Sequence, residues 1–208
     1  MDNTNRLSNI KNVIQGKTDE IAQGSQTHTK PGSLKYLLFG ETVSEQSLSI
    51  KFGKVGEVMF KEMIGTNPNL CLLDCGVQNI NDSGKKKDID LIWMNEGNKT
   101  IYYREAKGNI EMDTEKLPAM IAKMKGDGDI IQYIKRTYPE YTVDVGVLCW
   151  SVYDRNILTT GINHIRTCEG EGIKVDHVKD MLDLSGLIWD EDDFYSFMKD
   201  MGDILNRN

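Results

Sequence analysis

Charged side chains occur in two apolar runs of the chain that have the composition of β-strands. Asp90 lies within DIDLIWMN, and Glu105 and Lys107 end TIYYREAK. Removing an unpaired charge from water is costly, so these groups need compensation. Because strand side chains alternate, Glu105 and Lys107 share one face, as do Asp88 and Asp90. If NEGNK connects the two strands as a hairpin, Asp90 lies opposite or diagonal to Glu105.

Two carboxylates and an ammonium group would then meet at one end of a sheet. A divalent cation is the simplest compensator for crowded carboxylates, and hard oxygen ligands match Mg²⁺. Such a cation polarises a phosphate and lowers the pKa of a bound water, while a nearby lysine orients that water. This arrangement is typical of phosphodiester hydrolysis. Whether Asp88 or Asp90 takes part stays open.

Strands and helices of regular pattern must position these residues. Apolar periodicity predicts a helix over 47–65, a helical segment within 114–138 and a C-terminal helix within 189–206. β-branched and aromatic residues predict strands over 70–78, 88–95, 100–107 and 143–150. The order of helix, three strands, helix and strand predicts an α/β (α+β) fold with a central mixed sheet flanked by helices. One domain over 1–208 is expected.

The motif residues resemble a known signature. The run GKKKDIDLIW, followed by E-x-K at Glu105, Ala106 and Lys107, resembles the motif of the PD-(D/E)xK nuclease superfamily, although Ile89 stands where that motif has proline. GKVGEVMF is similar to the opening helix of that superfamily, and REAKGNIEMDTEK resembles segments of type II restriction endonucleases. The resemblance implies a restriction-endonuclease-like core at about 47–150.

The resemblance also implies roles for individual residues. Asp90 and Glu105 would hold Mg²⁺ with the Ala106 backbone carbonyl, Lys107 would position the nucleophilic water, and Glu57 would support the site through water. The implied activity is Mg²⁺-dependent cleavage of both strands of double-stranded DNA at a short, specific, palindromic sequence, with no organic cofactor. One site per chain and two strands to cut imply a homodimer.

The flanks, 1–46 and 151–208, would then serve DNA recognition and dimerisation. Polar and basic side chains contact phosphates and base edges. The candidate DNA contacts are Lys30, Lys35, Lys85, Lys86, Lys87, Asn109, Arg155 and Asn156. For each of them taken singly, a solvated surface position is the ordinary alternative.

Several other polar or aromatic residues near the motif are interpreted as structural. Arg104 points away from the face of Glu105, where an ion pair at the edge of the core is expected. The remaining residues are expected to form a core or an acidic helix start rather than to contact DNA: Trp93, Tyr102, Tyr103, Glu111, Asp113 and Glu115.

Composition excludes several classes of protein. The 208 residues, 39% hydrophobic and 27% charged, suit a globular protein with a sizeable core rather than a small disulfide scaffold. No apolar run approaches the roughly 20 residues of a membrane span, and the polar N-terminus lacks a signal-peptide pattern, which predicts a cytoplasmic location. The net charge of -7 argues against non-specific polyanion binding but does not exclude a local basic surface.

Two alternative functions stay open. A DNA repair or junction-resolving nuclease of the same superfamily would recognise DNA structure more than sequence. A non-catalytic module that binds nucleic acid or protein would use Glu105 and Lys107 only as a surface pair, and it predicts no binding of divalent cations.

Overall fold

The computed structural model describes residues 2–24, 28–40, 45–80, 84–108, 110, 116–156 and 161–206. The described helices are α1 (Asn3–Gln23), α2 (Leu34–Phe39), α3 (Glu45–Gly65), α4 (Lys116–Met124), α5 (Asp129–Thr137), α6 (Ile162–Gly170), α7 (Val178–Ser185) and α8 (Glu191–Asn206). The described strands are β1 (Leu70–Leu72), β2 (Gly76–Asn79), β3 (Lys86–Ile89), β4 (Leu91–Asn95), β5 (Thr100–Lys107), β6 (Thr142–Cys149) and β7 (Lys174–Asp176).

The chain divides into two compact units. The terminal unit comprises Met1–Met59 and Trp189–Asn208, and the central unit comprises Phe60–Ile188. The prediction of one domain over the whole chain stays a prediction.

In the terminal unit, α1 packs against α8. Ile10 and Ile14 of α1 are buried, and the rings of Trp189 and Phe194 meet edge to face at 5.2 Å. Three acidic residues in the first turn of α8 suit the positive end of its helix dipole. The predicted C-terminal helix is therefore confirmed.

A five-stranded mixed sheet organises the central unit. Its strand order is β1-β4-β5-β6-β7, with antiparallel pairing from β1 to β5 and parallel pairing from β5 to β7. The parallel step from β5 to β6 requires a crossover connection, which contains α4 and α5. Apolar side chains of the sheet, α4, α5 and α6 form one buried cluster. The predicted α/β architecture, a mixed sheet flanked by helices, is confirmed at this level.

Two of the predicted strands are wrong in extent. The segment 70–78 is divided between β1 and β2 by a break at residues 73–75, and Gly76, which begins β2, has a φ of 86° that favours glycine. The segment 88–95 is divided at Asp90, so that β3 pairs with β2 in a separate two-stranded sheet while β4 joins the main sheet. The strands predicted at 100–107 and 143–150 agree with β5 and, within one residue, with β6.

Arg104 forms a buried ion-pair network on one face of β5. Its side chain is 3% exposed, Nε donates to Asp176 Oδ2 at 2.6 Å, and Nη2 donates to Asp144 Oδ1 at 2.8 Å. Nη1 donates to the backbone carbonyls of Tyr103 and Asp144. Burial acts to raise the pKa of Asp144, but hydrogen bonds from Lys174 and Arg104 outweigh it and hold that pKa below its ordinary value. The interpretation of Arg104 as an ion pair is confirmed.

Aromatic rings cover the Arg104 guanidinium. Its carbon atom lies 5.8 Å from the ring centroids of both Trp93 and Tyr102, which stack on each other at 5.2 Å. Trp93 and Tyr103 are fully buried, as expected for core residues.

Gly146 of β6 gives the arginine the room that this network needs. A Cβ at this position would lie 2.9 Å from the carbonyl oxygen of Lys174 and 3.0 Å from Nε of Arg104. We expect Gly146→Ala to displace Arg104 and to lower the free energy of unfolding by about 1 to 3 kcal/mol, measured by urea denaturation. Gly170→Ala is the control, since an added Cβ there meets no heavy atom of the described chain within 4 Å. An equal loss in both variants would contradict this role of Gly146.

Candidate active site

The β4–β5 hairpin brings Asp90 and Glu105 together. Its register sets Leu91 opposite Arg104, so the next two positions, Asp90 and Glu105, face each other where the hairpin ladder ends. The turn between the strands is held by the Asn95 side chain, whose Oδ1 accepts hydrogen bonds from two backbone amides that follow it. The hairpin predicted from NEGNK is therefore present, and it positions the two acids as expected.

Asp90 is half-buried at the break between β3 and β4. Its Oδ2 accepts a hydrogen bond from the Ala106 amide at 2.9 Å, so the side chain supplies an acceptor to the neighbouring strand. Burial and then the charge of Glu105 raise the pKa of Asp90 to about 6, against the opposing effects of Lys107, Lys123 and the Ala106 amide. This carboxyl group is thus held in an environment that disfavours its negative charge.

Asp90, Tyr103, Glu105, Lys107 and Lys123 form a polar cluster at this end of the hairpin. Glu105 is its most enclosed charged residue, with 8% of the residue exposed. Its Oε1 accepts a hydrogen bond from Lys107 Nζ at 3.0 Å. Its Oε2 accepts hydrogen bonds from Lys123 Nζ and from the Tyr103 hydroxyl, the latter at 3.0 Å. Burial acts to raise the pKa of Glu105, but the two ammonium groups outweigh it and hold that pKa below its ordinary value.

Lys107, Glu105 and Tyr103 leave β5 on the same face, as alternation along a strand requires. The Lys107 side chain is one-third exposed, so its amine reaches solvent while it pairs with Glu105. Burial, followed by the negative charges of Glu105 and Asp90, raises the pKa of the Tyr103 phenol well above its ordinary value. The phenol therefore stays protonated and acts as a hydrogen-bond donor to Glu105.

Two members of the cluster were not expected at this site. Lys123 reaches Glu105 from α4, and Tyr103 was interpreted only as a core residue. Alternation along TIYYREAK could have placed Tyr103 beside Glu105. The signal for Lys123 is weaker: on a helix it lies between the apolar face marked by Met120 and Met124 and the solvent. Its contact with Glu105 depends on how α4 packs.

The donor set fits a hard divalent cation. Asp90 and Glu105 are two carboxylates close enough for the charge of one to raise the pKa of the other, and a cation between them would relieve this repulsion. The described part of the chain contains no group of three or more His, Cys, Asp or Glu side chains that could hold a metal ion. Ligands beyond the two carboxylates would therefore come from backbone oxygen, as expected for the Ala106 carbonyl, or from water.

Two further acids of the sequence prediction, Asp88 and Glu57, lie on elements that contain neither Asp90 nor Glu105. Asp88 belongs to β3 of the small sheet and is exposed, whereas Asp90 contacts the backbone of β5. Asp90 is thus the acid that contacts the backbone beside Glu105, and the catalytic role of either acid stays a prediction. Glu57 is half-buried on α3 in the terminal unit, and its expected support of the site stays a prediction.

The lysine run before Asp90 is largely engaged within the protein. Lys85 Nζ lies 2.5 Å from Asp129 Oδ2, and Lys87 Nζ lies 3.9 Å from the same oxygen. Lys86 is exposed. Both side chains are partly exposed, so their contacts with DNA stay a prediction.

The other candidate DNA contacts are spread over several segments. Lys30 and Asn156 are exposed. Arg155 pairs with Glu169 through both guanidinium Nη atoms, at 2.5 and 2.7 Å. Asn109 and the side chain of Lys35 lie outside the described residues, as do Glu111, Asp113 and Glu115.

Comparison with known proteins finds no relative: no family model, no curated protein and no solved structure matches the chain significantly. Among the described residues, no helix is long and apolar enough to cross a membrane.

The raised pKa of Asp90 makes a prediction about stability. In the unfolded chain this carboxyl group has a pKa of 3.8, against about 6 in the folded protein, so its ionisation opposes folding as pH rises between these values. We expect Asp90→Asn to raise the free energy of unfolding at pH 7.5 by about 1 to 3 kcal/mol relative to the wild type. The gain should vanish near pH 3, where both states of the wild-type side chain are protonated.

Urea denaturation of both proteins across this pH range measures the effect. Asp88→Asn, which changes an exposed carboxylate two positions earlier, is the control and should alter stability by less than about 0.5 kcal/mol. A stabilisation by Asp90→Asn that did not depend on pH would contradict the assignment.

Proposed function

We propose that this protein is a Mg²⁺-dependent endonuclease that hydrolyses phosphodiester bonds in double-stranded DNA. The observation that carries the proposal is the convergence of Asp90 and Glu105 with the amine of Lys107 at the end of the β4–β5 hairpin. Carboxylate pairs next to a lysine suit metal-assisted hydrolysis of a phosphodiester. The motif resemblance to PD-(D/E)xK nucleases adds support from the sequence.

Each residue of the cluster has a task in this mechanism. Asp90, Glu105 and the Ala106 carbonyl would hold the cation, which when bound neutralises charge on the scissile phosphate and lowers the pKa of a coordinated water. The Ala106 amide keeps Asp90 in place through its 2.9 Å hydrogen bond, so that the acid is oriented before substrate arrives. Lys107, one-third exposed beside Glu105, would orient the water and offset negative charge that develops on the phosphate.

We further propose that the enzyme is of the type II restriction kind and acts as a homodimer on a short palindromic site. The described elements run in the order α3, β1, β4, β5, α4, α5 and β6, with β2 and β3 inserted between β1 and β4. This order is compatible with the restriction-endonuclease-like core that the motif implies. A two-fold dimer would place one cluster on each DNA strand. Base recognition by the flanks and a cytoplasmic location stay predictions.

Plasmid digestion with Mg²⁺ tests the proposal. We expect discrete fragments from the wild type, and Asp90→Ala and Lys107→Ala should each cut at least about a hundredfold more slowly, since each removes charge stabilisation from the transition state. Asp90→Ala should still bind DNA in a gel-shift assay without metal, because this acid faces the cation rather than the DNA. Asp88→Ala, the matched control, should retain most of the cleavage activity.

Other results would favour the alternatives. Cutting of mismatched or branched DNA only would identify a repair or junction-resolving nuclease. Cleavage retained by Asp90→Ala or Lys107→Ala would contradict the catalytic assignment of that residue. Failure to cut any DNA, together with no heat of Mn²⁺ binding in calorimetry, would point to a non-catalytic binding module.

A further inference from the structure

Three protein donors contact the Glu105 carboxylate and take three of its roughly four lone-pair positions. Lys107 occupies Oε1, while Lys123 and the Tyr103 hydroxyl share Oε2. Two ammonium groups on one carboxylate exceed what its single negative charge needs. A cation that binds Glu105 would therefore meet the repulsion of two ammonium groups and compete with them for the carboxylate charge.

The three donors differ in their freedom to withdraw. Tyr103 is fully buried in the core cluster, so its hydroxyl has no room to move away. Lys107 leaves the same strand as Glu105 two positions further on, so β5 keeps it beside the site in every state. Lys123 differs because it comes from another element, α4; its side chain is 27% exposed, a value similar to the 33% of Lys107. Its long stem can swing toward solvent while α4 stays in place.

The packing of α4 positions Lys123 next to Glu105. Met120 and Met124, on either side of it along the helix, are buried in the core cluster. They fix the face of α4 that is turned to the sheet and so aim the amine at Glu105. Lys125, two positions on, instead pairs with Glu171 at 2.7 Å, half-exposed and away from the carboxylates of the site.

We propose that Lys123 is a positioning residue that regulates this site: its ammonium group occupies Glu105 Oε2 until a divalent cation takes that oxygen, and then turns to the phosphate of the bound DNA. The proposal rests on the proposed nuclease function for its second half only. In the first half, Lys123 is a built-in competitor of the metal. In the second, the same charge contributes to holding the substrate.

The experiment is metal binding by Lys123→Met, whose side chain keeps most of the stem and lacks the charge. Without DNA, we expect this variant to bind Mn²⁺ about five- to tenfold more tightly than the wild type in calorimetry, because the competing ammonium is gone. With saturating Mg²⁺ and DNA, we expect the KM for cleavage to rise about tenfold with a smaller change in kcat, because a contact to phosphate is lost. The two effects have opposite signs, which loss of structure alone would not produce.

Lys125→Met is the matched control and should leave both measurements unchanged. Lys123→Gln, which keeps a hydrogen-bond donor without charge, provides a second variant if Lys123→Met fails to fold, and it should also tighten Mn²⁺ binding. Mn²⁺ affinity at or below the wild-type value in the folded variants overturns the proposal, whether or not the wild type cuts DNA. Tighter Mn²⁺ binding by a protein that cuts no DNA would instead retain Lys123 as the competitor and reject the nuclease function.

Discussion

The compensation of the buried Glu105 charge is the constraint on which the site depends. An ionised carboxylate in a sheet interior is tolerated only when its oxygens are paired and hydrogen-bonded. Lys107, Lys123 and Tyr103 meet this requirement from a strand, a helix and the core. Asp90 shares the enclosure without an equal share of the cations, which is why its pKa rises while that of Glu105 falls. The pKa values of the two acids are thus shifted in opposite directions by one shared environment.

Strand β5 carries opposite charges on its two faces. Arg104 lies on one face and is neutralised by Asp144 and Asp176, whereas Glu105 lies on the other and is neutralised by lysines. Alternation along the strand keeps the two groups of charges apart, and each obtains its partners from other elements. The arginine network involves β6, the neighbour of β5 in the sheet, and β7, the edge strand beyond β6. The network connects β5, from which Glu105 and Lys107 extend, to β6 and β7 through buried ion pairs.

Much of this arrangement could be predicted from local pattern. The hairpin turn, the aromatic and β-branched run of β5 and the apolar periodicity of α5 are short-range signals, and those elements form where expected. The strand divisions at Gly76 and Asp90 were missed, because a run of apolar residues does not reveal where a chain leaves one sheet for another. The contact between Asp90 and the Ala106 amide is a product of that second division.

The sequence by itself determined that Glu105 and Lys107 share one face of β5. It also determined the hairpin that sets Asp90 opposite Glu105, since alternation and turn length are properties of a few neighbouring residues. Only the tertiary structure decided that Asp90 rather than Asp88 joins the cluster, that Lys123 completes it and that Lys85 is paired with Asp129. Each of these contacts connects elements that are separate in the chain. The contacts of Lys123 and Lys85 depend on how α4 and α5 pack on the sheet, and the spacing of residues along the sequence does not predict that packing.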